Sequence, residues 1–170
     1  HIVASSSLYG GTYNLLSVTL PRHGIKTTFV DSSNPQNFKD AAQENTRAFF
    51  IESLGNPKLD VLDISAISIE AKNYKVPLIV DNTVATPYLL NPIEHGANIV
   101  IHSLTKYING NGTALGGVII DAGTFDWTNG KFPEFTEPSL GYHGLIYSEA
   151  LESAAFIAKV RIEGLRDYGG

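Results

Sequence analysis

The sequence predicts an α/β fold, with a mostly parallel sheet and flanking helices. Three observations carry this. Short apolar, β-branched runs alternate with helical patterns from residue 1 to about residue 104, the signature of βαβ units. Runs such as Val76–Val80 are apolar throughout, which suits strands buried on both faces. Several of these runs end in polar clusters, at the kind of sheet edge where open α/β folds bind ligands.

Residues 1–5 read as the first strand, followed by a Ser/Gly-rich loop. Residues 13–23 carry Leu15, Leu16, Val18 and Leu20 and read as a helix closed by Gly24. Residues 25–30 form the next strand. Pro35 opens a helix running to about Asn45, since proline suits a first helical turn. The run RAFFIE at 47–52 is a strand that stops at the turn SLGNP. Residues 63–75 are amphipathic, with Ile64, Ile67 and Ala71 on one side. The strand at 76–80 ends in Asp81-Asn82-Thr83, and a partly helical stretch at 87–95 stops at Gly96. A strand at 97–101 then breaks into His102-Ser103-Leu104-Thr105-Lys106. After a Gly/Asn-rich loop comes the strand at 117–120, read as antiparallel to its neighbour because no helix precedes it. Residues 121–147 read as loop, and 148–166 as one long helix. The alternating region thus gives way to loop at about residue 121 and to a closing helix at 148.

Composition narrows the function classes. Contents of 43% hydrophobic and 17% charged residues fit an ordinary globular domain. The net charge of −5 and the lack of a basic patch argue against a nucleic-acid partner. No apolar run approaches the ~20 residues of a membrane span, and the expected location is cytoplasmic. The absence of cysteine excludes disulfides, thiolate catalysis and Cys-ligated zinc. The five histidines lack metal-ligand spacing. The sequence has no methionine and opens inside an apolar run, so it reads as an internal piece of a longer protein.

The chemistry-bearing residues fall at strand ends. Tyr9 follows the first strand, Glu52 and Asn56 the third, Asp81 the fourth, and Ser103, Thr105 and Lys106 the fifth. In a parallel sheet these ends share one edge. An aromatic face, a carboxylate, an amide, two hydroxyls and a lysine are what pyridoxal phosphate requires. The lysine forms a Schiff base with its aldehyde, and the carboxylate keeps the pyridine nitrogen protonated so that the ring serves as an electron sink. Hydroxyls bind the phosphate and a ring stacks on the pyridine. Gly112–Gly117 lacks the GK[ST] ending of a phosphate loop. A phosphorylation-controlled signalling domain also places Asp, a hydroxyl and Lys at strand ends, but the first strand here lacks the acidic pair that would hold magnesium.

Four segments carry a resemblance: LYGGTYNL at 8–15, ESLGNP at 52–57, VDNTVATPY at 80–88 and HSLTKYINGNGTALGG at 102–117. In this order they resemble the Cys/Met-metabolism family of pyridoxal-phosphate enzymes, which includes cystathionine γ-synthase, methionine γ-lyase and O-acetylhomoserine sulfhydrylase. GKFPEFTEPSLGYHGLIY at 130–147 resembles the O-acetylhomoserine sulfhydrylase branch. The resemblance implies the large cofactor domain of the aspartate-aminotransferase-like, fold type I enzymes. It implies Lys106 and Tyr9 as catalytic residues. Cofactor contacts would be Lys106 through its Schiff base, Asp81 at the pyridinium, Tyr9 on the ring, Asn56 at the ring hydroxyl, Ser103 and Thr105 at the phosphate, and Thr83 near the ring. Asn111 stands where many relatives carry His.

The implied reaction is γ-replacement on an O-acetyl amino acid by sulfide or a thiol, with Lys106 shuttling protons. A homo-oligomer, dimer or tetramer, is the implied assembly. The alternatives are another family reaction, such as that of cystathionine γ-synthase or methionine γ-lyase, or a non-catalytic fragment that retains the fold. The resemblance also implies parts beyond residues 1–170: a phosphate-binding turn, an arm from a neighbouring subunit, and an arginine that clamps the substrate carboxylate.

Overall fold

Six strands join in one sheet in the computed structural model, which describes residues 1–169. They are β1 (Ile2–Ser5), β2 (Thr27–Val30), β3 (Ala48–Glu52), β4 (Leu78–Asp81), β5 (Ile99–Ser103) and β6 (Gly117–Asp121). Their order across the sheet is β2-β1-β3-β4-β5-β6. The pairs β1–β2, β1–β3, β3–β4 and β4–β5 are all parallel. The predicted parallel α/β fold is the one observed. Strand order reverses between β1 and β3, and in open α/β sheets ligands bind outside the carboxyl ends at such a switch point.

Parallel neighbours need crossovers, and helices supply them. Helix α1 (Gly10–Asn14) runs on through a π-helical turn at Leu15–Thr19 and a 3₁₀ turn at Leu20–His23. Gly24 ends it in the left-handed region at φ +80°, where glycine carries no steric cost. The start lies three residues before the predicted one, because the Tyr13 N–H already donates to the Tyr9 carbonyl at 2.9 Å. Helix α2 (Gln36–Ala41) is shorter than predicted. The Thr46 hydroxyl accepts the Gln43 N–H at 2.7 Å and pulls the chain into a turn instead. Helix α3 (Ile64–Asn73) is N-capped by Asp63, whose carboxylate accepts the Ala66 N–H at 2.9 Å. Helix α4 (Thr86–Leu89) and a 3₁₀ turn at Pro92–His95 lead to Gly96 at φ +94°. A Cβ at Gly96 would lie 2.8 Å from the Ser68 Cβ, so α3 packs against bare backbone there.

The core of the unit His1–Ile119 follows from the strand pattern. Val3, Phe49, Ile51, Leu78, Val80 and Val100 are essentially fully buried. Phe38 of α2 packs on Phe49 with ring centroids 5.4 Å apart. Ile67 and Ala71 bury the apolar side of α3.

The second compact unit, from Ile120 on, is built differently. It holds α5 (Pro133–Thr136), α6 (Tyr147–Leu151) and α7 (Ala155–Lys159), which continues as a π-helical segment to Arg166. The segment read as one long helix over 148–166 is interrupted at Glu152, at φ 45° and ψ −119°. A 3₁₀ turn, Glu152–Ala154, separates α6 from α7 there. Asp121, which ends β6, accepts the Gly123 N–H at 2.9 Å. Trp127 stacks on Phe135 at 4.3 Å and on Phe156 at 5.2 Å between centroids.

Candidate cofactor site at the carboxyl edge of the sheet

Asp81 closes β4 and is half-buried. Its Oδ1 accepts both the Thr83 N–H at 2.9 Å and the Thr83 hydroxyl at 2.5 Å. Among the described residues Oδ2 takes no hydrogen bond, so one carboxylate oxygen is fixed while the other is available. Thr83 Oγ1 in turn accepts the Ser103 N–H at 2.8 Å. A single hydroxyl thus couples the end of β4 to the end of β5. Lys106 follows Ser103 by one turn; its N–H donates to the Ser103 carbonyl at 3.4 Å and its side chain is exposed. The Ser103 side chain is half-buried at this edge.

The Thr105 hydroxyl is engaged within the chain. It donates to the Gly116 carbonyl at 3.3 Å and accepts the Gly116 N–H at 3.1 Å. Together with the Leu104 N–H, which donates to the same carbonyl at 2.9 Å, it closes the Gly/Asn-rich loop. Binding a phosphate through this hydroxyl requires it to exchange one of those bonds.

Tyr9 precedes α1 and is 53% exposed, leaving a ring face open for stacking. Its edge rests over Gly11, where a Cβ would lie 2.7 Å from Tyr9 Cε1. Glycine at 11 is what allows this ring position. Asn56 is half-buried, and its bond to Pro57 is cis. The segment around it is braced by the Ser7 hydroxyl, which donates to Asp60 Oδ1 at 2.8 Å, and by the Gly55 N–H, which donates to the Asp60 carbonyl at 3.0 Å.

Two supports were not assigned from the sequence. Glu52, at the end of β3, is 5% exposed and lies in register with Asp81. Its Oε1 accepts the Tyr9 N–H at 2.6 Å across the switch point. Burial pushes the Glu52 carboxyl up to about 7; the N–H groups of Tyr9 and Asn56 oppose the rise, and the Asp81 and Asp60 carboxylates add to it. Asn82 is fully buried; its Oδ1 accepts the Ser53 hydroxyl at 2.7 Å and its Nδ2 donates to the carbonyls of Thr86 and Leu90. The polar ending of an otherwise apolar strand signalled Glu52. Nothing local distinguished Asn82 from a turn residue.

The donor set fits pyridoxal phosphate. A clamped carboxylate with one open oxygen suits a pyridinium N–H, an open tyrosine face suits the ring, and an exposed amine beside hydroxyls suits an aldehyde and a phosphate.

Comparison with known proteins agrees. Residues 1–142 match the model of the family described as Cys/Met metabolism PLP-dependent enzyme. The chain belongs to the Cys/Met-metabolism family of PLP-dependent enzymes. It is 58% identical to the O-acetyl-L-homoserine sulfhydrylase of Leptospira meyeri, and 51% to that of Corynebacterium glutamicum. Both alignments cover 99% of this chain and 40% of the relative. The chain thus spans about two-fifths of the length of the curated relatives it matches. Among solved structures it is similar to a putative O-acetylhomoserine (thiol)-lyase from Campylobacter jejuni, with a TM-score of 0.94 and 40% identity over 99% of this chain and 42% of that one. That protein carries a pyridoxyl-lysine phosphate. It is also similar to the O-acetylhomoserine sulfhydrylase of Wolinella succinogenes, with a TM-score of 0.81 and 36% identity over 99% of this chain and 44% of that one. The fold is that of the type I PLP enzymes. Among the described residues, no helix is long and apolar enough to cross a membrane.

Proposed function

We propose that the complete protein catalyses γ-replacement on O-acetyl-L-homoserine, joining sulfide or a thiol to the four-carbon chain and releasing acetate. With sulfide the product is homocysteine. The observation that carries the reading is the Asp81–Thr83–Ser103 linkage, which holds a carboxylate and a lysine-bearing turn together on adjacent parallel strands. The names of the relatives support the substrate.

Bound pyridoxal phosphate supplies the electron sink and the aldehyde carbon that takes an amine. Within this chain, Lys106 Nζ is the amine that holds the cofactor and afterwards takes and returns protons. Asp81 Oδ2 keeps a proton on the ring nitrogen, while Thr83 fixes the carboxylate so that no reorientation is needed during reaction. Tyr9 covers one ring face, Asn56 approaches the ring hydroxyl, and Ser103 and Thr105 bind the phosphate. Residues 1–147 form the central part of the cofactor domain, with 148–170 leading toward the next. The protein works in the cytoplasm as a homo-oligomer, dimer or tetramer. The exposed Tyr9, Tyr13, Leu15 and Val18 along the first helical segment support association.

Borohydride added to the complete protein with pyridoxal phosphate should fix the cofactor's mass on the peptide carrying Lys106. The protein should also turn over O-acetylhomoserine and sulfide to homocysteine and acetate. Label on another lysine, or no acetate release, overturns the reading.

A further inference from the structure

Asn82 follows Asp81 directly, and its side chain is fully buried. A buried amide costs free energy unless its polar atoms find partners, and here they do. Its Oδ1 accepts the Ser53 hydroxyl at 2.7 Å, and its Nδ2 donates to the Thr86 carbonyl at 3.1 Å and to the Leu90 carbonyl at 2.8 Å. The main chain is held as well. The Asn82 N–H donates to the Ile101 carbonyl at 2.9 Å, the Asn82 carbonyl accepts the Thr86 N–H at 2.9 Å, and the Asp81 carbonyl accepts the Ser53 N–H at 3.0 Å. Thr86 stands at φ +59°, a left-handed conformation that a β-branched residue avoids. Its N–H and its carbonyl are both bonded to Asn82, so one residue holds the turn in that conformation.

The geometry points to Asn82 as a positioning residue for the contact at the cofactor's ring nitrogen, acting on Asp81 through Thr83. This rests on the pyridoxal-phosphate reading above. Thr83 lies inside the turn that Asn82 and Thr86 close, and from there its N–H and its hydroxyl both reach Asp81 Oδ1. A turn released at Thr86 lets Thr83 move away, and the Asp81 carboxylate can then rotate. The fixed direction of the open Oδ2 therefore depends on an amide whose own side-chain bonds go to Ser53, Thr86 and Leu90. Leucine has nearly the shape of asparagine but neither donates nor accepts. Serine offers one donor in place of two.

The test uses the complete protein as wild type, Asn82→Leu, Asn82→Ser and, as a control of stability alone, Ile67→Val in the buried side of α3. Amide hydrogen exchange is followed without cofactor. Pyridoxal-phosphate affinity and the visible circular dichroism of the bound cofactor are then measured. In Asn82→Leu, exchange at the Thr83 and Ser103 amides should rise about tenfold or more, while Val3 and Phe49 in the sheet stay as in wild type. Affinity should fall by about tenfold or more, and the dichroic band should shrink. Asn82→Ser should move all three readouts the same way by smaller factors. It carries the test alone if the leucine variant does not fold. Ile67→Val should lower the urea midpoint and leave affinity and dichroism as in wild type. Unchanged exchange at Thr83 and Ser103, faster exchange with wild-type affinity and dichroism, or an equal loss of affinity in Ile67→Val overturns the positioning role alone. A wild type that binds no pyridoxal phosphate overturns the cofactor reading, and the positioning role with it.

Discussion

Each of the two units has its own source of cohesion, and the two sources are opposite in kind. The edge of the sheet in His1–Ile119 is a chain of polar contacts: Tyr9 on Glu52, Thr83 on Asp81, Ser103 on Thr83, Ser7 on Asp60, with an exposed lysine beyond. The unit from Ile120 on is held by rings, with Trp127 packed among Phe125, Phe132, Phe135 and Phe156. Ring packing yields cohesion without direction. Hydrogen bonds between fixed backbone groups yield position, which is what reaction requires. Mutations in the first unit should therefore disturb chemistry more than folding, and those in the second the reverse.

The sharpest separation comes from Lys106→Ala. It should lower kcat by about 10³-fold or more, since it removes both the cofactor's attachment and the proton carrier. The thermal midpoint of the cofactor-free protein should stay put, because the side chain is exposed. Trp127→Ala probes the other pole. Truncating this buried, doubly stacked ring should cost about 3–5 kcal/mol in denaturant unfolding. An effect below about 1 kcal/mol would undo the contrast.

Glu52 blends the two behaviours, and pH exposes it. Its folded value of about 7 lies above the ordinary 4.5, so between these values the folded state keeps a proton that the unfolded chain has lost. Its contribution to stability is complete below pH 4.5 and is lost as pH rises to about 7, a decline of about 3 kcal/mol at most. Urea titrations of cofactor-free wild type and Glu52→Gln should show that slope in wild type and its absence in the variant. Thr83→Val should act more mildly, costing about 1–3 kcal/mol, because it leaves the Ser103 N–H without its acceptor. Cofactor affinity should fall alongside; stability loss with unchanged affinity would show that the linkage serves folding alone.

The sheet was legible because its signals are local. Apolar runs such as VPLIV leave one choice of burial, and Gly24 and Gly96 stop helices by backbone conformation. Asp81, Ser103 and Lys106 could be gathered at one edge because parallel strands end together. What escaped the sequence depends on partners far along the chain. The role of Glu52 needs Tyr9, 43 residues before it. The spent hydroxyl of Thr105 needs Gly116. Periodicity carries no information about such pairings.

Asn82 bears on how the protein ages. Its amide nitrogen donates to two carbonyls, those of Thr86 and Leu90. Deamidation would turn that donor into an acceptor facing two acceptors, and would place a new negative charge next to Asp81. A spontaneous change of one atom would then loosen the turn after β4 and shift the field at the ring nitrogen together. Full burial of the side chain keeps water from it, so chemical durability at this position depends on the sheet staying closed.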